Sequence, residues 1–414
     1  MNVTIRPRAD FCGEFCIPGD KSITHRAVMF NAAAEGEAHI TGALLGEDCL
    51  STAACMRALG AEVRAEGGCV TVRGREAFRD AECDCGNSGT TMRLLMGLLA
   101  GRGVPARLTG DASLSARPME RVAAPLRLLG ADIATDGGHA PVEVRPAALR
   151  GARVQTAVAS AQVKSALILA ALGAEGESTV CEPLPSRDHT ERMLAAMGAD
   201  IRAEGCTVTV KKSRLRCTDV EVPADISSAA YFLALGALRG EVLCKNVGVN
   251  PTRAGILRVF DAMNVRYVLE NARTVCGEPV ADIRVYKSPL RAVRFGRELM
   301  PSLIDEVPVV AVLCAFAEGE SVITGAEELR VKESDRIATT AAMIAALGGD
   351  CTPTEDGFVI RGKKALAGGN VLSCKDHRIA MSAAVGLAAS ARGGQIADAE
   401  CVNISFPGFY GLLG

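Results

Sequence analysis

The chain has 414 residues, of which 49% are hydrophobic and 23% charged. It is too long for a single hydrophobic core and too apolar to stay disordered. With 46 Lys and Arg against 48 Asp and Glu, the formal charge is −2, which excludes the strong basic bias of a nucleic-acid or membrane-surface protein.

Apolar runs such as Val307 to Ala317 fall well short of the roughly 20 residues of a membrane span. The N-terminus opens on strand-like Asn2-Val3-Thr4-Ile5 with no leader pattern before it, so a cytoplasmic location is expected. Sixteen cysteines are present, yet there is no CxxC pair and none of the five histidines lies in a cysteine cluster. They read as small buried residues in a reducing compartment and not as zinc ligands or disulfides.

In chain order, residues 1–19 read as short strands. A unit then recurs six times: a helix of small residues, a Gly, a strand, a loop and a second helix. The first helices are expected at His25 to Glu35, Gly89 to Gly101, Ser160 to Glu175, Ile226 to Arg239, Asp305 to Glu318 and His377 to Arg392. The second helices are expected at Cys49 to Val63, Glu120 to Ile133, His189 to Ile201, Thr252 to Tyr267 and Asp335 to Asp350. Near their ends stand Gly60, Gly130, Gly198, Asn264 and Gly348, residues suited to the left-handed conformation that terminates a helix.

The period, roughly 65–80 residues, is longer than that of a solenoid and marks each unit as a βαβ-type fragment. The expected class is therefore α/β, with two domains of three units each. Residues 20–223 would form the first domain. Residues 224–414 would form the second, completed by residues 1–19 because the sixth unit lacks closing strands. The chain would cross between domains near Pro18 and Pro223. The first helices are apolar nearly all round, as buried helices are, and their small side chains would let the axes pack closely.

Polar residues gather at the starts of these helices: Lys21, Ser22 and Arg26 in copy one, Asn87, Gly89 and Thr90 in copy two, and Ser160, Ala161 and Gln162 in copy three. Asp225, Asp305 and Arg378 follow in copies four to six. Helix N-termini present unpaired N–H groups and partial positive charge, so a face made of several is an anion site. With Arg117 added, the cations suit phosphate and carboxylate groups. Ser, Thr, Asp and Asn at these positions are equally explained as N-caps, but Lys21, Arg26, Gln162 and Arg378 are not. Arg330 to Arg336, five of seven residues charged, reads either as an ordinary surface helix start or as a loop that brings acid, base and anion clamp together.

Several motifs together resemble the 5-enolpyruvylshikimate-3-phosphate synthase family: Gly19-Asp20-Lys21-Ser22, Leu108 to Met119, Arg330 to Arg336, Lys375 to Met381 and Ser405 to Phe409. Segments Ser160 to Lys164, Arg187 to Glu191 and Asn250 to Arg253 are similar to the class II branch. The resemblance covers the whole chain. It implies a two-domain enolpyruvyl transferase fold, an inverted α/β barrel with three βαβαββ repeats per domain around buried parallel helices.

The implied reaction transfers the enolpyruvyl group of phosphoenolpyruvate to the 5-hydroxyl of shikimate 3-phosphate and releases phosphate. It proceeds by addition and elimination through a tetrahedral intermediate, on the route to chorismate and the aromatic amino acids. The resemblance implies no metal or redox cofactor, no nucleic-acid or membrane partner, and a monomer. Two anionic substrates drawn between two domains imply closure on binding.

By the same resemblance, Lys21 lies between the substrates, Ser22 and Arg26 hold the carboxylate side of shikimate, and Ser160 and Ser186 bind its phosphate. Ala161 and Gln162 belong to that site, with Gln162 over the ring. Gly89, Arg117, Gln162, Arg336 and Arg378 face phosphoenolpyruvate. Asp305 and Glu333 are the implied acid–base pair, and Lys332 lies near the 5-hydroxyl. Lys21, Asp305, Lys332 and Glu333 form the implied catalytic set. Departures are Ile404 where the family commonly has Lys, Glu328 where some relatives have Asn, and Gly89 where glyphosate-tolerant class II members often have Ala.

The sister enzyme acting on UDP-N-acetylglucosamine usually carries a Cys shortly before the Arg-Pro of copy two, and Asp111 to Pro118 contains none. A non-catalytic metabolite binder would have no use for Asp305, Lys332 and Glu333 together.

Overall fold

Each sheet contains one parallel pair of strands, which a tight hairpin turn cannot join. In copy three, Arg153–Gln155 runs parallel to Glu177–Cys181. Thr207–Lys211 returns antiparallel beside the latter, and Ile201–Glu204 lies outside it. The computed structural model describes all residues except Gly67, Glu76 and Gly414. Among the described residues there are six sheets, five of four strands and one of three.

Three sheets take a strand from a distant part of the chain. Val220–Glu221 pairs parallel with Ile40 and Thr41 and opens the sheet of copy one. Gly13–Phe15 pairs parallel with Val242 to Cys244 and opens that of copy four. Val3–Ile5 pairs antiparallel with Gly394 to Ile396 in copy six. The chain divides into two compact units. The first comprises Gly19–Val222 with Val275–Glu278; the second comprises Met1–Pro18, Pro223–Thr274 and Pro279–Gly414.

Six core helices run through these units: α1 (Lys21–Ala32), α2 (Gly89–Arg102), α3 (Ala161–Ala171), α4 (Ile226–Arg239), α5 (Val307–Phe316) and α6 (His377–Ala389). In α4 every residue from Ile226 to Leu238 is buried, as is every residue of α6. Mostly small and apolar residues make this possible, with Arg378 at the start of α6 the buried charge. Helices α2 and α3 touch at backbone distance. A Cβ at Gly97 would overlap the carbonyl of Ala166, and one at Gly173 would overlap that of Gly101.

The second helices are shorter than the sequence suggests. They run Glu47–Ala58, Glu120–Arg127, His189–Ala196, Gly255–Ala262 and Arg336–Ala346. Gly60, Gly130, Gly198, Asn264 and Gly348 take positive φ of 105°, 90°, 90°, 63° and 83°. Each ends its helix, and the residues beyond, such as Glu62–Glu66 and Asp132–Asp136, enter a sheet. Helix α1 starts at Lys21, four residues before the expected His25, because the Asp20 carboxylate accepts from the Ile23 N–H at 2.9 Å and caps it there.

The cysteines also depart in part from expectation. Cys12, Cys16, Cys276 and Cys374 are exposed, while Cys49, Cys55, Cys83, Cys85, Cys181, Cys244, Cys314 and Cys401 are buried. Among the described residues, no helix is long and apolar enough to cross a membrane.

Candidate active site

In the first unit, the starts of three core helices are stitched together by side chains. Lys21, the first residue of α1, holds Asp48 Oδ2 at 3.1 Å. One turn on, Arg26 is 2% exposed. It donates from Nε to Thr190 Oγ1 at 2.7 Å, from Nη2 to Ser165 Oγ at 2.8 Å, and from Nη1 to the Ser22 carbonyl at 2.9 Å. Burial takes its guanidinium down to about 10, against the pull of Glu191 and Asp20, so it stays charged at neutral pH.

At the start of α2 the cap is Ser88, which accepts from the Thr91 N–H at 3.2 Å. Asn87 and Thr90 do not cap. Asn87 Oδ1 accepts from Arg117 Nη2 at 2.6 Å, and Thr90 Oγ1 accepts from Gln162 Nε2 at 2.9 Å. The other end of the Gln162 amide accepts from Arg93 Nη1 at 2.6 Å, so its orientation is set from both sides. Ser160 occupies the N-cap position of α3 without making a cap bond. Ser186 is buried, with Oγ donating to Glu182 at 2.7 Å. Gly89, the first residue of α2, is buried against Arg93 and Arg117.

The second unit gathers the remaining candidates around one guanidinium. Arg336 is 1% exposed, so Arg330 to Arg336 is not an ordinary surface helix start. Its Nη2 donates to Glu333 Oε2 at 2.6 Å and its Nε to Asp376 Oδ2 at 2.8 Å, while Nη1 lies 3.7 Å from Asp305. Burial opposes its charge, but Asp376 and Glu333 outweigh that and hold it more firmly protonated than usual. Lys332 Nζ lies 4.0 Å from Asp305. Desolvation lowers its ammonium despite Asp305 nearby, the direction that suits proton exchange.

The outer members of that loop have structural work. Arg330 bonds Asp335 at 2.8 Å, and Asp335 caps helix Arg336–Ala346.

Asp376 caps α6 by accepting from the Arg378 N–H at 2.9 Å. The Arg378 side chain is buried, and its Nη1 has no hydrogen-bond partner among the described residues. It is held well above its ordinary value: burial opposes the charge, and Tyr231, Asp305 and Asp225 favour it. Asp225 caps α4 and also binds Arg253 at 3.2 Å, which holds Glu306 at 3.0 Å. Ile404 is partly buried and packs on the apolar core of this unit.

Against known proteins, the model of the family described as EPSP synthase (3-phosphoshikimate 1-carboxyvinyltransferase) matches residues 5–413. The chain belongs to the EPSP synthase family. Its reaction is the transfer of the enolpyruvyl group from phosphoenolpyruvate to shikimate 3-phosphate, in the shikimate pathway. It is 50% identical to the 3-phosphoshikimate 1-carboxyvinyltransferase of Synechococcus sp. (strain WH7803), covering 96% of this chain and 94% of that one. It is also 50% identical to that of Gloeobacter violaceus, covering 98% and 97%. A solved EPSP synthase from Acinetobacter baumannii superposes with a TM-score of 0.88 at 43% identity, over 99% of this chain and 97% of that one. The likeness bears out the α/β class expected from the repeats and the enolpyruvyl transferase fold that the resemblance implied.

Sequence reasoning missed Asp48, Arg93 and Glu182 as partners of Lys21, Gln162 and Ser186. Arg93 could have been found: a lone cation in the otherwise apolar run Met92-Arg93-Leu94-Leu95 has to meet a partner inside.

Proposed function

We propose that the polar cluster of the first unit holds shikimate 3-phosphate and that the cluster around Arg336 supplies the proton transfers. Ser160, Ala161 and Ser186 take the 3-phosphate, Gln162 covers the ring, and Ser22 and Arg26 hold the carboxylate side. Gly89, Arg117, Gln162, Arg336 and Arg378 receive phosphoenolpyruvate, whose charge suits bidentate guanidinium groups. Lys21 serves both substrates.

Asp305 takes the proton of the 5-hydroxyl as oxygen adds to C2, with Lys332 assisting. Glu333 delivers a proton to C3 and recovers one as phosphate leaves. The two domains correspond to 20–223 and to 1–19 with 224–414, and the protein works as a cytoplasmic monomer without nucleic acid.

The observation that carries this reading is the convergence of Asp305, Lys332 and Glu333 on the buried Arg336. Asp376 already fixes the Arg336 clamp, and Asp305 and Glu333 add negative charge beside it that weakens the pull on an anion, so binding alone does not call for them. The test is phosphate release from the purified protein with each substrate omitted in turn. Release that needs both supports the reading. Release with phosphoenolpyruvate alone would contradict it.

A further inference from the structure

Lys164 lies on the first turns of α3, two residues after Gln162, and is 3% exposed. Its ammonium reaches Glu182 Oε2 at 2.9 Å, Glu191 Oε1 at 2.8 Å and the Ser186 carbonyl at 3.1 Å. Glu182 in turn accepts the Ser186 hydroxyl at 2.7 and 2.8 Å and the Ser186 N–H at 3.3 Å. Every polar group of Ser186 is therefore tied to the Lys164–Glu182 pair.

One further rung joins the same elements: Ser165 Oγ lies 2.6 Å from Thr190 Oγ1, and Arg26 binds both. Burial lowers the Lys164 ammonium, but Glu191 and Glu182 more than restore it. Burial raises the Glu191 carboxyl against Lys164, and Glu191 Oε2 has no hydrogen-bond partner among the described residues.

A buried cation with two buried acids is a poor way to gain stability, since apolar side chains of the same volume do as well or better. It is a good way to hold a loop in one geometry. Lys164 joins the helix start that carries Ser160 and Gln162 to the loop that carries Ser186.

We propose that Lys164 is a positioning residue for shikimate 3-phosphate that acts through Ser186. The inference rests on the assignment of Ser186 to the 3-phosphate. Lys164 touches no reacting atom. It fixes the Ser186 backbone directly and the Ser186 hydroxyl by way of Glu182, so that the hydroxyl has only to turn toward the phosphate.

The test is titration calorimetry with shikimate 3-phosphate alone, together with steady-state kinetics for both substrates. The variants are Lys164→Gln, Ser186→Ala and the two combined. Lys164→Gln leaves two buried acids without a cation, so Lys164→Gln with Glu191→Gln, which keeps the net charge, serves if the single variant does not fold. The expected result is a roughly tenfold or larger rise in the shikimate 3-phosphate Kd, with the phosphoenolpyruvate KM at saturating partner unchanged. Lys164→Arg should recover most of the affinity. In the Ser186→Ala background the Lys164 change should add little.

If Ser186→Ala weakens binding but the Lys164 variants do not, the inference alone is overturned. Fully additive effects would also overturn it, because Lys164 would then act without Ser186. If Ser186→Ala leaves binding unchanged, the assignment of Ser186 itself falls, and the inference with it.

Discussion

Arg336 and Asp376 grip each other through two pairs of atoms, Nε to Oδ2 at 2.8 Å and Nη2 to Oδ1 at 3.1 Å. The same carboxylate caps α6 through the Arg378 N–H. One acid thus fixes two of the three guanidinium residues assigned to phosphoenolpyruvate, Arg336 by its side chain and Arg378 by its backbone. Burial works against the Asp376 charge, yet Arg336 holds the carboxyl below its ordinary range.

Asp376→Ala leaves the Arg336 guanidinium buried beside fewer acids and uncaps α6. The expected loss is about 3–5 kcal/mol of stability, read by chemical denaturation. In whatever fraction remains folded, the phosphoenolpyruvate KM should rise. Asp376→Asn keeps the cap acceptor and should cost less.

Gly89→Ala places a Cβ 2.9 Å from Arg93 Nη1 and 3.5 Å from Arg117 Nη1. Arg93 cannot shift without disturbing Gln162, which it holds at 2.6 Å. The expected outcome is a roughly tenfold rise in the phosphoenolpyruvate KM, about 1.4 kcal/mol, with a weakening for shikimate 3-phosphate as well, because Gln162 is assigned to both substrates. Kinetics with each substrate varied in turn check this.

Much of this arrangement is legible in the amino-acid sequence. The six buried helices stand out because small apolar residues fill whole turns, and the Gly exits are positive-φ positions where other side chains are strained. Lys21, Arg26 and Arg378 stand out because they sit at helix starts that their side chains cannot cap, whereas Arg117 and Arg336 stand in loops that the pattern alone leaves open. What stayed hidden had no periodicity to reveal it. A strand of two residues, Val220–Glu221, is too short to alternate visibly. Asp48 and Glu182 look like ordinary helix-start and loop acids, and only the fold brings them to Lys21 and Ser186.

The His25 imidazole is wholly buried, with Nδ1 2.7 Å from Thr52 Oγ1, and burial takes it from 6.5 down to about 3. Between those values the unfolded chain binds the proton and the folded chain does not, so stability falls as pH drops through that window. The loss from this one group is about 4–5 kcal/mol at most. Urea unfolding between pH 7 and 4 should show a steep decline in the parent and a shallower one in His25→Gln.

The most direct test of the proton-transfer assignment is a single-turnover experiment on Glu333→Gln and Asp305→Asn, with enzyme in excess and both substrates' binding measured separately. Under that assignment each variant still binds both substrates while the chemical step slows by about 10²–10⁴-fold. A variant that turns over at the parent's rate would contradict it, as would one whose slowing is wholly explained by lost binding.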